Sequence, residues 1–106
     1  MTLLSGPGFG RSMAYLLVRT KVKDVAKWKA LFDQHGEARR QNGSKGGYFF
    51  RNVSNPNETI FLLEWDNLQN AQRFAASDGA KAVLMSAGLT DQPDVFFLDA
   101  VGRPTC

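Results

Sequence analysis

Between residues 14 and 22 apolar and polar side chains alternate, with Leu16, Val18, Thr20 and Val22 on one parity and Tyr15, Leu17, Arg19 and Lys21 on the other. A period of two predicts a strand. Asp24 follows as a helix N-cap, its carboxylate able to accept from the free amides of a first turn. The spacing then predicts one helix through residues 25–41, with Val25, Trp28, Leu31, Phe32 and His35 on a single arc and Lys27, Lys29, Asp33 and Arg40 projecting elsewhere. Asn42-Gly43 supplies a left-handed stop. Residues 44–47 read as a short glycine-rich connection. They are no phosphate cradle, because a P-loop follows a strand and opens a helix, and these glycines do the reverse.

A second strand is expected at residues 48–53, with Tyr48, Phe50 and Asn52 on one face and Phe49, Arg51 and Val53 on the other. Asn55, Pro56 and Asn57 form the tip of a hairpin, and residues 59–65 return as a third strand. Asp66 and Gln69 have the spacing of a capping box, after which Leu68, Ala71, Phe74 and Ala75 make an apolar helical stripe. Ser77-Asp78-Gly79 interrupts that helix, residues 80–87 resume it, Gly88 ends it, and residues 95–101 form a fourth strand. The order is β-α-β-β-α-β. Right-handed crossovers then place both helices on one face of a four-stranded antiparallel sheet, an α+β, ferredoxin-like fold. Residues 1–12, with Gly-Pro-Gly, read as a flexible extension and Met13 as an alternative start; residues 13–103 form the domain and 104–106 a tail.

The strands are apolar on both parities. Ile60 and Leu62 oppose Phe61, Leu63 and Trp65, while Val95 and Phe97 oppose Phe96, Leu98 and Ala100. Helices cover one face only, and a water-facing sheet would show a polar parity on every strand. Each aromatic left half exposed would forgo on the order of 1 kcal/mol of burial. The expectation is a homodimer, two copies meeting through the open sheet faces. That covers the surface an RNA-binding sheet would need, so no nucleic-acid partner is expected.

Composition narrows the picture without redirecting it. The chain has 106 residues, 43% hydrophobic and 22% charged with eight Phe, which is one folded domain. A formal charge of +3 without strong clustering is too weak to argue for a polyanion. The lone Cys106 forms no intrachain disulfide and sits where an incidental tail thiol would. No apolar run approaches the roughly 18 residues of a membrane span, and residues 1–12 lack the basic start of a signal peptide. A cytoplasmic protein without a membrane partner is the simplest expectation.

The strand ending Leu62-Leu63-Glu64-Trp65-Asp66, with Ala71 and Phe74 at helical spacing beyond it and the Asn55-Pro56-Asn57-Glu58 tip before it, resembles the dimeric α+β barrel proteins. The similarity is strongest to the antibiotic-biosynthesis-monooxygenase-like group and covers roughly residues 13–101. It implies a homodimer and, in the cofactor-independent oxygenases, a reaction that needs no metal or flavin: a substrate phenol or enol is deprotonated and the anion reacts with O₂. The haem-degrading branch has a Trp and a His on the second helix and an Asn on the first strand. The matching helix positions here are Phe74 and Leu84, and the first strand contains no Asn.

Such chemistry needs a base, an apolar cavity and donors that hold an anion. His35 is the only side chain with a natural pKa near neutrality and is the candidate catalytic base. Tyr48, Arg19 and Arg51 are candidate donors, and Trp28, Phe32, Phe50, Trp65 and Phe74 candidate walls for an aromatic or polyketide-like ligand. The competing reading makes His35 a core histidine bonded to a backbone carbonyl and the aromatics plain core. The protein is then a non-catalytic barrel that binds a small apolar ligand or has a structural or stress-related role. Arg39, Arg40 and Lys45 are expected to complement the first helix's C-terminus and stay solvated.

Overall fold

Residues 14–106 are described by a computed structural model, so the extension assigned to residues 1–12 and the alternative start at Met13 lie outside the described residues. The elements are β1 (Ala14–Lys21), α1 (Val25–Gln34), α2 (Gly36–Gln41), β2 (Ser44–Asn52), β3 (Asn55–Trp65), α3 (Leu68–Ala75), α4 (Asp78–Ser86) and β4 (Asp94–Asp99). The four strands form one antiparallel sheet in the order β2-β3-β1-β4. This is the ferredoxin-like α+β arrangement expected from the element order.

Alternation along the strands decides what is buried. Leu16, Val18 and Thr20 of β1 and Thr59, Phe61, Leu63 and Trp65 of β3 face the helices, where Trp28, Phe32 and Ala71 pack onto them. Phe32 meets Phe49 and Phe61 with ring centroids 4.9 and 5.0 Å apart, and Trp28 meets Phe32 edge-on at 5.7 Å. Trp28, Thr59 and Thr20 carry their polar atoms into this layer with partners: Trp28 Nε1 donates to Thr59 Oγ1 at 2.9 Å, and Thr59 and Thr20 share a hydroxyl bond of 3.0 Å. Burying an indole therefore leaves no stranded donor at Trp28.

Five local features differ from the pattern-based expectation. The single helix over 25–41 is broken at His35, which caps α1 and precedes α2. Residues 44–47 belong to β2, which starts four residues early through a bulge between Ser44 and Gly46. Glycine makes that possible: Gly46 has φ +91°, and a Cβ on Gly47 would sit 1.9 Å from the Leu62 carbonyl oxygen. The hairpin turns at Val53 and Ser54, where Asn52 Oδ1 accepts from Ser54 N at 2.8 Å, so Asn55 and Pro56 are already in β3. Pro56 is tolerated there because it falls in the irregular pairing between Arg51 and Asn52, where no ladder donor is required.

The fourth difference is the cap of α3. Asn67, not Asp66, is the N-cap, accepting from Asn70 N at 2.8 Å. Asp66 instead closes the corner where α2 meets β3. Its amide donates to Gly43 O at 2.9 Å and its carboxylate accepts from Asn70 Nδ2 at 2.9 Å. Asp24 caps α1 as expected, accepting from Lys27 N at 3.0 Å, and the break at Ser77 separates α3 from α4. β4 ends at Asp99, leaving Ala100 and Val101 outside the sheet.

On the helix-free face, Arg19 bridges Glu58 and Asp94, and Glu58 also accepts from Asn52 Nδ2 at 3.0 Å. The Asn52 amide and the Arg19 guanidinium together hold the Glu58 carboxyl below its ordinary value. A carboxylate lowered on folding contributes stability above its unfolded pKa, and that contribution fades as pH falls through the folded one. The urea midpoint at fixed protein concentration should therefore fall from about pH 5 downward, and Glu58→Gln should flatten that acid limb. An unchanged limb in the variant would assign the acid sensitivity to other carboxylates.

Candidate functional site

A cavity of about 430 Å³ lies between the helical layer and the sheet. That volume is within the range of small-molecule sites, ~300–1,000 Å³. Leu16, Val18 and Phe61 form its floor; Trp28 and Phe32 of α1 form one wall; Phe74 and Leu84 of α3 and α4 form the other. Pro93 and Val95 line the side toward β4. The cavity is lined from both helical pairs, α1–α2 and α3–α4, and from β1 and β3 beneath them. The break at Ser77 falls at the cavity edge: its hydroxyl donates to Phe74 O at 2.8 Å and accepts from Ala80 N at 3.2 Å, ending α3 and capping α4.

His35 lines this cavity. It is exposed at the helix break rather than packed in the core, yet its Nδ1 lies 2.9 Å from Leu31 O. Since a carbonyl oxygen only accepts, the neutral ring carries its proton on Nδ1 and keeps the lone pair on Nε2. The backbone-carbonyl partner of the competing reading is thus present, but it leaves a basic nitrogen free.

Four of the nine residues singled out from sequence come together: His35, Trp28, Phe32 and Phe74 all line the cavity. Trp65 does not line it. It is fully buried behind Phe74, ring centroids 5.1 Å apart, and its indole N–H has no acceptor among the described residues. Tyr48 and Phe50 lie on the opposite face of the sheet, stacked on each other at 5.5 Å, because they alternate with Phe49, which faces the helices. Arg51 is exposed near the hairpin end of β2 and stands apart from the cavity lining. Arg19, the other candidate donor, is committed to Glu58 and Asp94 on the helix-free face.

Arg39 was expected to stay solvated; instead it folds over the cavity mouth. Its guanidinium carbon sits 3.7 Å from the Phe32 ring centroid and its Nη1 donates to Phe32 O at 2.7 Å. Burial pushes this guanidinium below its ordinary value, opposed by the field of Asp33. The helical spacing 32, 35, 39 would have placed Arg39 on the same face as Phe32 and His35. Arg40 behaves as expected of a solvated charge, pairing with Glu37 one turn earlier, and Lys45 is exposed. Lys81 of α4, which no sequence pattern marked, joins the lining.

No family model and no curated protein matches the sequence. Solved structures do match in shape. An antibiotic-biosynthesis-monooxygenase-like protein from Bordetella bronchiseptica superposes with a TM-score of 0.72 at 16% identity, over 86% of this chain and 99% of that one. A variant of SnoaB, a cofactor-independent oxygenase from Streptomyces nogalater, gives 0.71 at 14% identity over 89% and 98%. A further antibiotic-biosynthesis-monooxygenase-like protein, from Caulobacter crescentus, gives 0.69 at 18% identity over 87% and 92%. At such identities the likeness speaks for the backbone arrangement and not for the reaction. The chain has the ferredoxin-like fold of the antibiotic-biosynthesis-monooxygenase-like structures.

Proposed function

We propose that this protein is a cytoplasmic homodimer that acts as a cofactor-independent, monooxygenase-type enzyme on an aromatic or polyketide-like small molecule. The observation that carries the reading is the cavity itself, with aromatic walls and a histidine whose Nε2 lone pair is left free by the Nδ1–Leu31 bond. His35 takes the proton from a substrate phenol or activated C–H; the anion then passes an electron to O₂. Overall an activated CH₂ and O₂ give a carbonyl and water, so no further reductant enters the balance. That one structural neighbour is named a cofactor-independent oxygenase supports this choice over other chemistries of the fold.

A second reading, a non-catalytic binding barrel, is favoured by one specific feature. Among the described residues no Asp or Glu lines the cavity, so none of them offers His35 a carboxylate there to relay its proton. Oxygen-electrode assays with anthrones, quinols and phenols separate the two. The enzyme reading expects consumption by the unaltered protein and a loss of roughly 10²–10⁴-fold in His35→Ala with ligand affinity retained. Equal rates in both proteins would remove His35 as the base, and binding without oxygen uptake would leave the second reading.

The homodimer rests on the helix-free face. Tyr15, Leu17, Ile60 and Leu62 run across its centre, flanked by Tyr48 (65% exposed), Phe50, Phe96 (51%) and Leu98. A contiguous apolar sheet face of this kind is characteristic of an association surface. A second copy fits it, because a two-fold axis brings like apolar centres together and leaves the Arg19–Glu58–Asp94 groups near the rim. Among the described residues no helix is long and apolar enough to cross a membrane.

A further inference from the structure

We propose that the cavity is built to take an organic anion, an apolar or aromatic acid whose carboxylate is read by Arg39 at the mouth. This rests on the reading of the cavity as a small-molecule site and narrows what that site accepts. Its lining contains two basic side chains, Arg39 and Lys81, and, among the described residues, no carboxylate. Electrostatics alone therefore favour a negatively charged guest over a neutral one of equal shape.

Arg39 differs from the other arginines near it. Arg19 is satisfied by Glu58 and Asp94, and Arg40 by Glu37. Arg39 forms no ion pair among the described residues: Glu37, the acid of its own helix α2, is paired with Arg40, and Asp33 of α1 is paired with Lys29 at 2.5 Å. Among the described residues the side chain makes one hydrogen bond, using one of its five N–H groups on Phe32 O, while the Phe32 ring lies against the guanidinium carbon. Those two contacts fix the fork and leave most of its donors unused. A half-buried cation without a counter-charge is costly to desolvate, and an incoming carboxylate relieves that cost through a bidentate, charge-assisted pair.

The walls set the rest of the guest. Trp28, Phe32, Phe61, Phe74 and Leu84 ask for a flat or bulky hydrocarbon body. Asn42 and Gln92, the two amides of the lining, can meet further oxygens on it. An apolar body with an acidic head, the head at Arg39 and the body toward Phe61, matches the cavity in both polarity and direction.

The test uses a matched pair of probes, 2-naphthoate and 2-naphthamide, titrated calorimetrically into the unaltered protein, Arg39→Met and Arg39→Lys. The expected result is that the unaltered protein binds the acid about tenfold or more tightly than the amide. In Arg39→Met the two affinities should converge through loss of acid binding, with the amide little changed, and Arg39→Lys should keep part of the preference. The acid preference should also shrink with added salt in the unaltered protein, which checks the charge effect even if Arg39→Met fails to fold. Equal binding of both probes by the unaltered protein would overturn the anion reading while the cavity reading stands. A preference that survives in Arg39→Met would overturn the role of Arg39. Binding of neither probe at millimolar concentration would fail the cavity reading itself.

Discussion

Leu62→Glu should turn the proposed dimer into a monomer. Leu62 lies near the middle of the helix-free face, opposite Leu17 of β1 and Tyr48 of β2, so its side chain points out of the sheet among apolar neighbours. In a two-fold assembly the substitution occurs twice. Each copy loses about 1.5–3 kcal/mol of leucine burial. Each also forces a carboxylate without a partner into the interface, a penalty of several kcal/mol after relaxation. The dissociation constant should rise by at least about 10³-fold, enough to separate the subunits at micromolar concentration in sedimentation velocity. The folded monomer should keep its near-ultraviolet spectrum, because Leu62 does not touch the helix-side core. An unaltered protein that sediments as a monomer would refute the assembly outright, and a variant that stays dimeric would move the interface elsewhere.

Trp65→Ala should cost ~3–5 kcal/mol of unfolding free energy, a large share of the ~5–15 kcal/mol that holds a domain together. Trp65 is 0% exposed and ends β3, paired with Ala14 of β1 on one side and Ser44 of β2 on the other. Removing it opens a void directly behind Phe74 and unties the corner where strand and helix join. Trp65→Phe is the informative contrast. It deletes the one buried side-chain donor that has no acceptor among the described residues, so the lost volume is partly offset and the cost should be about 1 kcal/mol. Urea unfolding of both variants checks this. A small effect of Trp65→Ala would mean that Phe74 and the α3 helix collapse into the space, and the cavity volume would change with them.

How much was legible in the chain depended on the range of the interaction. Strand parity reported burial correctly: Leu16, Val18 and Phe61 face the helices and Leu62 does not, because a period of two leaves no freedom once one residue is placed. The same rule already excluded Tyr48 and Phe50 from any cavity that Phe49 faces. Listing them as walls grouped aromatics by type instead of by side. The Asp24 cap and the Ser77 break were readable because each is satisfied within one turn. The Asp66 cap was misread because two adjacent residues can both cap, and a bond from outside the segment, between Asp66 N and Gly43 O, decided between them.

The site divides the same way. His35 and its aromatic neighbours lie on one helical arc, so sequence spacing alone brought together Trp28, Phe32 and His35, and it would have added Arg39. Lys81, Leu84 and Pro93 entered only when the second helical pair was laid over β1, since no local pattern relates them to α1. By itself, then, the sequence determined the element order, the sheet topology, the apolar character of both sheet faces and the helical arc that holds Trp28, Phe32 and His35, all set by short-range periodicity and chain connectivity. Only the tertiary structure decided that the two helical pairs leave a cavity over the sheet, that Trp65 is a buried support and not a wall, and that Arg39 bends over Phe32. Those outcomes depend on which side chain fills which space between elements distant in the chain, and no local spacing specifies that.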